Sequence, residues 1–284
     1  MIMKTRIVFI TSGIGTGGAE KQLAILAKGL MARQCQVKII SLSTADKTES
    51  LPDFQTLSTI QYDFETGRKL PHSILGLRSI LNENKPDVVQ GWMYGGNIAA
   101  SLASIGICRR VYHTVRASNM DSARYGLQIR ANALLSYTSQ AIVANSQSGF
   151  DFHIAKGFSQ KKMQLVPNGI DNEIFRPDRA IRKHIRGKLG IGSHEFVLLY
   201  VARVDPMKAH DLVISAAKLC PEIKFIFVGL GTDRLMLPKN VIGLGLRRDM
   251  PAIFNASDWV ISWSNYGEGF PNVIGEAMAC GVPV

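Results

Sequence analysis

Two α/β units, each a doubly wound parallel sheet with helices on its faces, are predicted by three features of this 284-residue sequence. Short β-branched runs alternate with longer amphipathic stretches, a glycine-rich turn joins the first run to the first helix, and the alternation breaks at a polar segment before restarting. Strands that each feed a helix and then return to strand build βαβ units on a parallel sheet.

The first unit takes its strands from Arg6–Thr11, Gln36–Ser43, Asp87–Trp92, Arg110–Val115 and Ala141–Ala144. Between them Ala19–Arg33, Pro71–Asn84, Asn97–Ile107, Arg124–Ser139 and Ser146–Lys156 carry the helical spacing of apolar residues. Past Leu165-Val166-Pro167-Asn168-Gly169-Ile170-Asp171 the charge-rich stretch Asn172 to Gly192 breaks the rhythm, with one short helix at Arg179–Leu189. This places a first domain over 1–170, a linker over 171–192 and a second domain over 193–284. The second domain is expected to run strand Phe196–Val201, helix Ala209–Leu219, strand Lys224–Val228 and short strand Asn240–Ile242. Helix Asp249–Asn255, strand Trp259–Trp263 and helix Asn272–Cys280 follow. At the end, Gly281-Val282-Pro283-Val284 reads as a helix-terminating glycine and the opening of another strand, so the second sheet is expected to continue beyond Val284 and to be incomplete here.

Composition excludes several classes. With 46% hydrophobic residues the chain has enough apolar material for real cores and is not disordered. Cys35, Cys108, Cys220 and Cys280 are far apart with no C-x-x-C pair, so they read as buried thiols in a reducing cytosol, with neither a disulfide framework nor a zinc site. No apolar run approaches the roughly 18 to 20 residues that span a bilayer, and Ile7–Ile10 is too short for a signal peptide core. A cytoplasmic protein is expected. Of the net charge of +11, residues 1–170 carry +9 (19 Lys+Arg, 10 Asp+Glu), which favours an anionic partner for the first domain. Nucleic acid ranks last among such partners, because no aromatic–basic RNA motif and no Cys/His finger accompanies the charge; a membrane surface or a phosphate remains.

Gly13-Ile14-Gly15-Thr16-Gly17-Gly18 fits G-x-G-x-x-G between the first strand and the first helix, where glycines let backbone approach a phosphate. The acid that would hold a dinucleotide's ribose is missing: the second strand ends Ile40-Ser41-Leu42-Ser43-Thr44. A dinucleotide cofactor, an unliganded turn and another anionic ligand all stay open at this point. Arg203 and Lys208 lie between a strand and a helix, on the ligand side of an open α/β sheet, where a guanidinium beside an ammonium suits a diphosphate. Glu268 follows an apolar strand in a Gly/Pro turn and Glu276 is about one turn into the next helix, so both carboxylates can face one ligand and accept from a sugar diol. Solvated loop cations, and a capping acid beside a solvated Glu, are the plainer readings of these two pairs.

Together, Gly17-Gly18-Ala19-Glu20, Val166 to Asp171, Arg203 with Lys208, Leu244-Gly245-Leu246-Arg247-Arg248-Asp249 and above all Glu268-Gly269-Phe270-Pro271-Asn272 through Glu276 to Val284 resemble glycosyltransferase family 4, whose members have the GT-B fold of two facing Rossmann-like domains. The resemblance runs from the first strand to the last residue. It implies a retaining transfer of a hexose or N-acetylhexosamine from a nucleotide-diphospho-sugar to a lipid-linked or saccharide acceptor of surface polysaccharide or lipopolysaccharide. Arg203 and Lys208 would neutralise the diphosphate. Glu276 would hold the ribose, and Glu268, with the backbone of Gly269, Phe270 and Pro271, the donor sugar. Gly245 and Arg247 would border the base, and Gly17 and Gly18 would bring amides to the phosphates. No D-x-D occurs, so neither a metal nor a cofactor is expected beyond the sugar nucleotide as co-substrate. Relatives often carry His where Gly95 stands, which leaves His113 as the candidate for that role. They also continue beyond Val284, so a chain ending there is expected to be poorly stable and inactive. The basic first domain would contact the anionic inner face of the plasma membrane. A nucleotide-sugar 2-epimerase of the same fold, an NAD(P)-dependent oxidoreductase and a non-catalytic sugar-nucleotide binder are the alternatives.

Overall fold

A computed structural model describes residues 4–15, 17–43 and 52–284. Contacts divide the chain into two compact units, Met1–Gly169 and Ile170–Val284.

The first unit is built on seven parallel strands: β1 (Arg6–Thr11), β2 (Gln36–Ser41), β3 (Thr59–Gln61), β4 (Val88–Trp92), β5 (Val111–Val115), β6 (Ala141–Ala144) and β7 (Met163–Leu165). Their order is β3-β2-β1-β4-β5-β6-β7, so the direction of strand addition reverses between β1 and β4. In β1 the period of two splits the side chains between the faces: Ile7 and Phe9 pack with Leu23, Ala24 and Ala27 of α1 (Gly18–Ala32), whereas Val8 and Ile10 pack on the other face. That second layer comprises α2 (Leu70–Asn84) through Leu77 and Leu81, and α3 (Met93–Ala103) through Ala99, Ala100 and Ala103. Two further helices, α4 (Ser122–Ser136) and α5 (Gln147–Ala155), complete the unit, α4 contributing Ile129 and Ala133 to the core beside Val115 and Ile142.

Two short strands, β3 and β7, have no counterpart in the sequence reading; three residues each are too few to show a period. The third helix begins one turn earlier than expected. Gly95 and Gly96, read as loop, lie in its first turn because α3 crosses close over β1: a Cβ on Gly96 would stand 2.2 Å from the Ile10 carbonyl oxygen. Only hydrogen fits that approach.

The second unit contains α6 (Arg179–Lys188), β8 (Val197–Val201), α7 (His210–Leu219), β9 (Lys224–Val228), β10 (Val241–Gly243), α8 (Met250–Ala256), β11 (Trp259–Ile261) and α9 (Asn272–Ala279). Its parallel sheet runs β10-β9-β8-β11, reversing between β8 and β11. Val260 N also donates to the Pro283 carbonyl at 2.9 Å, so the last residues run beside β11.

The stretch 171–192, expected to be a linker, is instead part of this unit. Phe175, Ile185 and Ile191 are buried in its core with Val197, Leu199 and Phe254. Two of its four arginines turn inward, Arg176 and Arg179 staying exposed: Arg182 and Arg186 both pair with Asp258, at 2.5 and 3.3 Å, and Asp258 Oδ2 also accepts from Val197 N at 2.8 Å. Of the four cysteines expected to be buried, Cys280 is; Cys35, Cys108 and Cys220 are half-buried, and all four are free thiols.

Candidate functional site

Ligands of doubly wound sheets bind outside the carboxyl ends of the strands, where the strand order reverses. In the second unit that place is the crevice after β8 and β11. Each strand there runs into a loop, and the two loops are tied together. Asn265 N donates to the Met207 carbonyl at 2.8 Å, and Asp205 caps the 206–208 turn through Met207 N at 2.9 Å. The buried Tyr200 hydroxyl donates to the Lys208 carbonyl and lies 3.3 Å from the carbonyl of Trp263.

Held by this scaffold, the Lys208 ammonium pairs with the Glu268 carboxylate, and Ser264 Oγ sits 3.0 Å from Lys208 Nζ and 3.2 Å from Glu268 Oε1. Burial, and secondarily the Arg203 charge, push the Lys208 ammonium down to about 8, against the opposing pull of Asp205. Arg203 is half-exposed and bonded to Asp205 at 3.2 Å. The sequence reading missed Ser264, Asp205 and Tyr200. Ser264 could have been found by asking which polar residues directly follow an apolar strand.

The other candidates of this unit lie in different surroundings. Glu276, on α9, is only 5% exposed, and its charge adds to the burial that raises the Cys280 thiol to about 11. The two carboxylates are therefore unlike: Glu268 is in the cation cluster and Glu276 within the packed unit. Gly269, Phe270 and Pro271 form the turn into α9, with Pro271 at its N-cap. Gly245 has φ +64°, donates to the Thr232 hydroxyl at 3.0 Å and accepts from Gly229 N at 2.8 Å. Arg247 makes two bonds to Asp249, at 2.8 and 2.6 Å, and each partner holds the other in its charged form.

In the first unit Gly17 is the N-cap of α1, and a Cβ there would stand 2.1 Å from Glu20 Oε2, so the carboxylate folds over the glycine; Gly18 begins the helix. Thr16 of the glycine motif and Thr44 lie outside the described residues. Ser41 is buried with its hydroxyl bonded to the Ser43 carbonyl at 3.1 Å. Its hydroxyl is thus committed to its own turn. A Cβ on Gly95 would meet Ser12 Oγ at 2.7 Å.

His113 does not fit the role expected of it. It is 0% exposed in the middle of β5, bonded through Nε2 to Ser101 Oγ at 2.7 Å, and burial pushes it down to about 4. A fully buried ring bonded to Ser101 of α3 supports that helix; it does not meet a ligand from outside. The residue that does reach the carboxyl edge is Arg116, three positions on. Its guanidinium lies 4.6 Å over the Trp92 ring and donates to Asn168 Oδ1. Among the described residues no group of three or more His, Cys, Asp or Glu is gathered as for a metal ion.

Comparison with known proteins bears on what these two edges serve. The family model described as glycosyltransferase family 4 matches residues 16–174, more than half of the chain, and that of glycosyl transferases group 1 matches 181–284. The chain belongs to glycosyltransferase family 4. The D-inositol 3-phosphate glycosyltransferase of Mycobacterium tuberculosis is 31% identical to this family 4 chain over 144 residues, covering 45% of this chain and 29% of that protein. The matched segment thus spans under a third of that relative's length. Among solved structures, Anabaena HepE in complex with UDP and glucose superposes with a TM-score of 0.84 at 24% identity, over 99% of this chain and 80% of that one. Sucrose-phosphate synthase from Thermosynechococcus elongatus gives 0.80 at 17% identity, over 99% and 80%. These likenesses show the GT-B fold.

Proposed function

We propose that this family 4 chain is a retaining glycosyltransferase that moves a hexose or N-acetylhexosamine from a nucleotide-diphospho-sugar to a lipid-linked acceptor of surface polysaccharide or lipopolysaccharide. The observation that carries the reading is the Lys208–Ser264–Glu268 cluster at the strand reversal of the second sheet. It joins a cation for a departing diphosphate to a carboxylate and a hydroxyl for sugar hydroxyls, at the end of the sheet where such ligands bind. HepE, of the same fold, was solved with UDP and glucose, which makes UDP-sugars the first donors to try.

In this reading Arg203 and Lys208 neutralise the diphosphate as the bond from the anomeric carbon to the phosphate oxygen breaks. The acceptor oxygen bonds to the same face of that carbon, and its proton passes to the departing phosphate. Charge stabilisation of the leaving group is the main protein contribution. Glu268, with the backbone of Gly269 to Pro271, orients the sugar; Glu276 takes the ribose, and Gly245 and Arg247 border the base. No step calls for a metal or a further cofactor.

The lipid side of the proposal is supported by α4. Its buried face is Ile129, Asn132, Ala133 and Ser136. On the opposite face Leu127 and Leu134, seven residues apart, are 83% and 76% exposed, and Tyr137 just beyond is 61% exposed. Arg124 and Arg130, both exposed, flank this stripe on either side. An apolar stripe bordered by arginines suits the headgroup region of an anionic bilayer. Among the described residues no helix is long and apolar enough to cross a membrane, so contact would be peripheral, at the inner face of the plasma membrane.

The test is transfer from a panel of nucleotide-sugars to lipid-linked acceptors, with the anomeric configuration of the product read by NMR. A glycoside of retained configuration supports the reading. Release of an epimerised sugar instead, or binding of NADPH but of no UDP-sugar, refutes it.

A further inference from the structure

Four strand ends of the first unit converge on one side chain. Arg116 directly follows β5, Trp92 ends β4, Asn168 lies beyond β7, and Glu20 is in the first turn of α1 after β1. The guanidinium stacks over Trp92 with 4.6 Å between Cζ and the ring, and Nη2 donates to Asn168 Oδ1. Its surroundings are pegged. Trp92 Nε1 donates to the Ala19 carbonyl at 3.0 Å, and the buried Gln22 amide bonds Gly169 twice, giving to its carbonyl at 2.9 Å and accepting from its N–H at 3.2 Å. The cation is therefore placed by packing rather than free to swing.

Its charge is under-compensated. The hydrogen-bond partner is a neutral amide, Nε is buried with no acceptor, and Glu20 acts only through space. Burial pushes the guanidinium down to about 10, against the opposing pull of Glu20. A structural arginine of this kind usually ends on a carboxylate or on several carbonyls, as Arg186 does in the second unit with the Ala256 and Gly192 carbonyls and Asp258. Arg116 has neither, yet it remains partly open to solvent at the carboxyl ends of the strands, one strand over from the reversal between β1 and β4, on the side where ligands of such sheets bind. With one face covered by the indole, what remains for a partner is the edge of the guanidinium, which matches the paired oxygens of a phosphate or carboxylate.

We propose that Arg116, stacked on Trp92 and oriented by Asn168, forms an oxyanion subsite that takes a phosphate or carboxylate group of the acceptor. This rests on the first unit being the acceptor side of a transferase. A solvated or neutral sugar hydroxyl would leave the buried charge as it stands, whereas an oxyanion completes it.

Trp92 reports on the site directly. The other two tryptophans, Trp259 and Trp263, are in the second unit and half-exposed, so Trp259→Phe with Trp263→Phe leaves this 284-residue chain with one emitting indole. Phosphate and acetate are titrated separately at constant ionic strength, following Trp92 fluorescence. A saturable change is expected with at least one of them, and which one identifies the oxyanion. Arg116→Gln should lose saturation or need at least tenfold more anion; Arg116→Lys, which keeps the charge and loses the fork, should need at least threefold more. Absence of saturation with both anions in the single-tryptophan chain overturns the proposal, as does unchanged half-saturation in Arg116→Lys, which also decides the matter if the Gln variant does not fold. UDP binding, followed by calorimetry on the same proteins, separates the two readings. Arg116-dependent phosphate or acetate binding in a chain that ignores every nucleotide-sugar leaves the subsite standing and removes the donor assignment, and normal UDP binding without anion saturation does the reverse.

Discussion

Lys208 and Glu268, 60 positions apart in sequence, form an ion pair at the strand reversal of the second sheet, with Ser264 bonded to both. A diphosphate arriving there meets a cation that is already desolvated and oriented. Lys208→Ala is therefore expected to weaken UDP binding by roughly 10- to 100-fold, the worth of a charge-assisted bond of about 1.5 to 3 kcal/mol. Glu268→Gln is expected to leave UDP binding within about threefold while lowering transfer, since it spares the cation, removes the carboxylate charge and puts an NH2 donor where one acceptor oxygen faced the sugar. Titration calorimetry with UDP, beside turnover assays, separates the two effects.

The burial of Lys208 sets a pH dependence. The protonated ammonium is the form that binds phosphate, and Lys208 is pushed down to about 8 from the ordinary lysine range. UDP affinity should hold below that value and fall as pH rises through it, approaching tenfold per unit. In Lys208→Arg, whose guanidinium stays charged, the fall between pH 8 and 9 should disappear. A wild-type affinity that is flat from pH 7 to 9.5 contradicts this.

His113 and His153 set a limit on the acid side. Both are buried, and burial pushes each down to about 4; His153 accepts from the Tyr94 hydroxyl at 2.8 Å with its other nitrogen on the Gly149 carbonyl. The unfolded chain takes up protons near pH 6.5 that the folded chain refuses, so stability is complete above 6.5 and is lost as pH falls from there towards 4. The loss is at most about 3 kcal/mol per histidine. Chemical denaturation at pH 7 and pH 5 should show it, with a shallower slope in His113→Gln.

Asp258 carries the second unit's entry helix. Asp258→Asn leaves Arg186, 5% exposed, without its carboxylate, and is expected to cost about 3 kcal/mol or more. The readout is the denaturant midpoint of the transition reported by Trp259 and Trp263. A shift worth less than about 1 kcal/mol would mean that the pairing contributes little.

The α4 stripe predicts lipid dependence. Wild-type protein should sediment with vesicles containing anionic phospholipid and be released by salt, and Leu127→Ser with Leu134→Ser should weaken this by about tenfold or more through lost apolar burial. Both side chains are over three-quarters exposed, so the double variant should keep its melting temperature. Sedimentation that ignores lipid charge and salt contradicts the prediction.

The α/β class, most element positions and the glycosyltransferase resemblance are readable along the chain, because these rest on local periods and on motifs contiguous in it. Arg6–Thr11, Ala141–Ala144 and Lys224–Val228 were legible as strands to the residue, and Arg203, Lys208 and Glu268 as candidates from their place after strands. Where side chains end up emerges only when the sheet orders are assembled. That assembly paired Lys208 with Glu268 through Ser264, and walled His113 into β5, where burial keeps it neutral. It also turned Arg182 and Arg186 inward onto Asp258, so that a stretch whose charge density reads as solvated linker became part of a core. Arg116 is the sharpest case. Nothing in Val115-Arg116-Ala117 marks it, and its character comes from Trp92 and Asn168, brought to it from 24 and 52 positions away by other parallel strands of the same sheet. A charge's worth depends on what desolvates and faces it, which is a property of packing that no local spacing records.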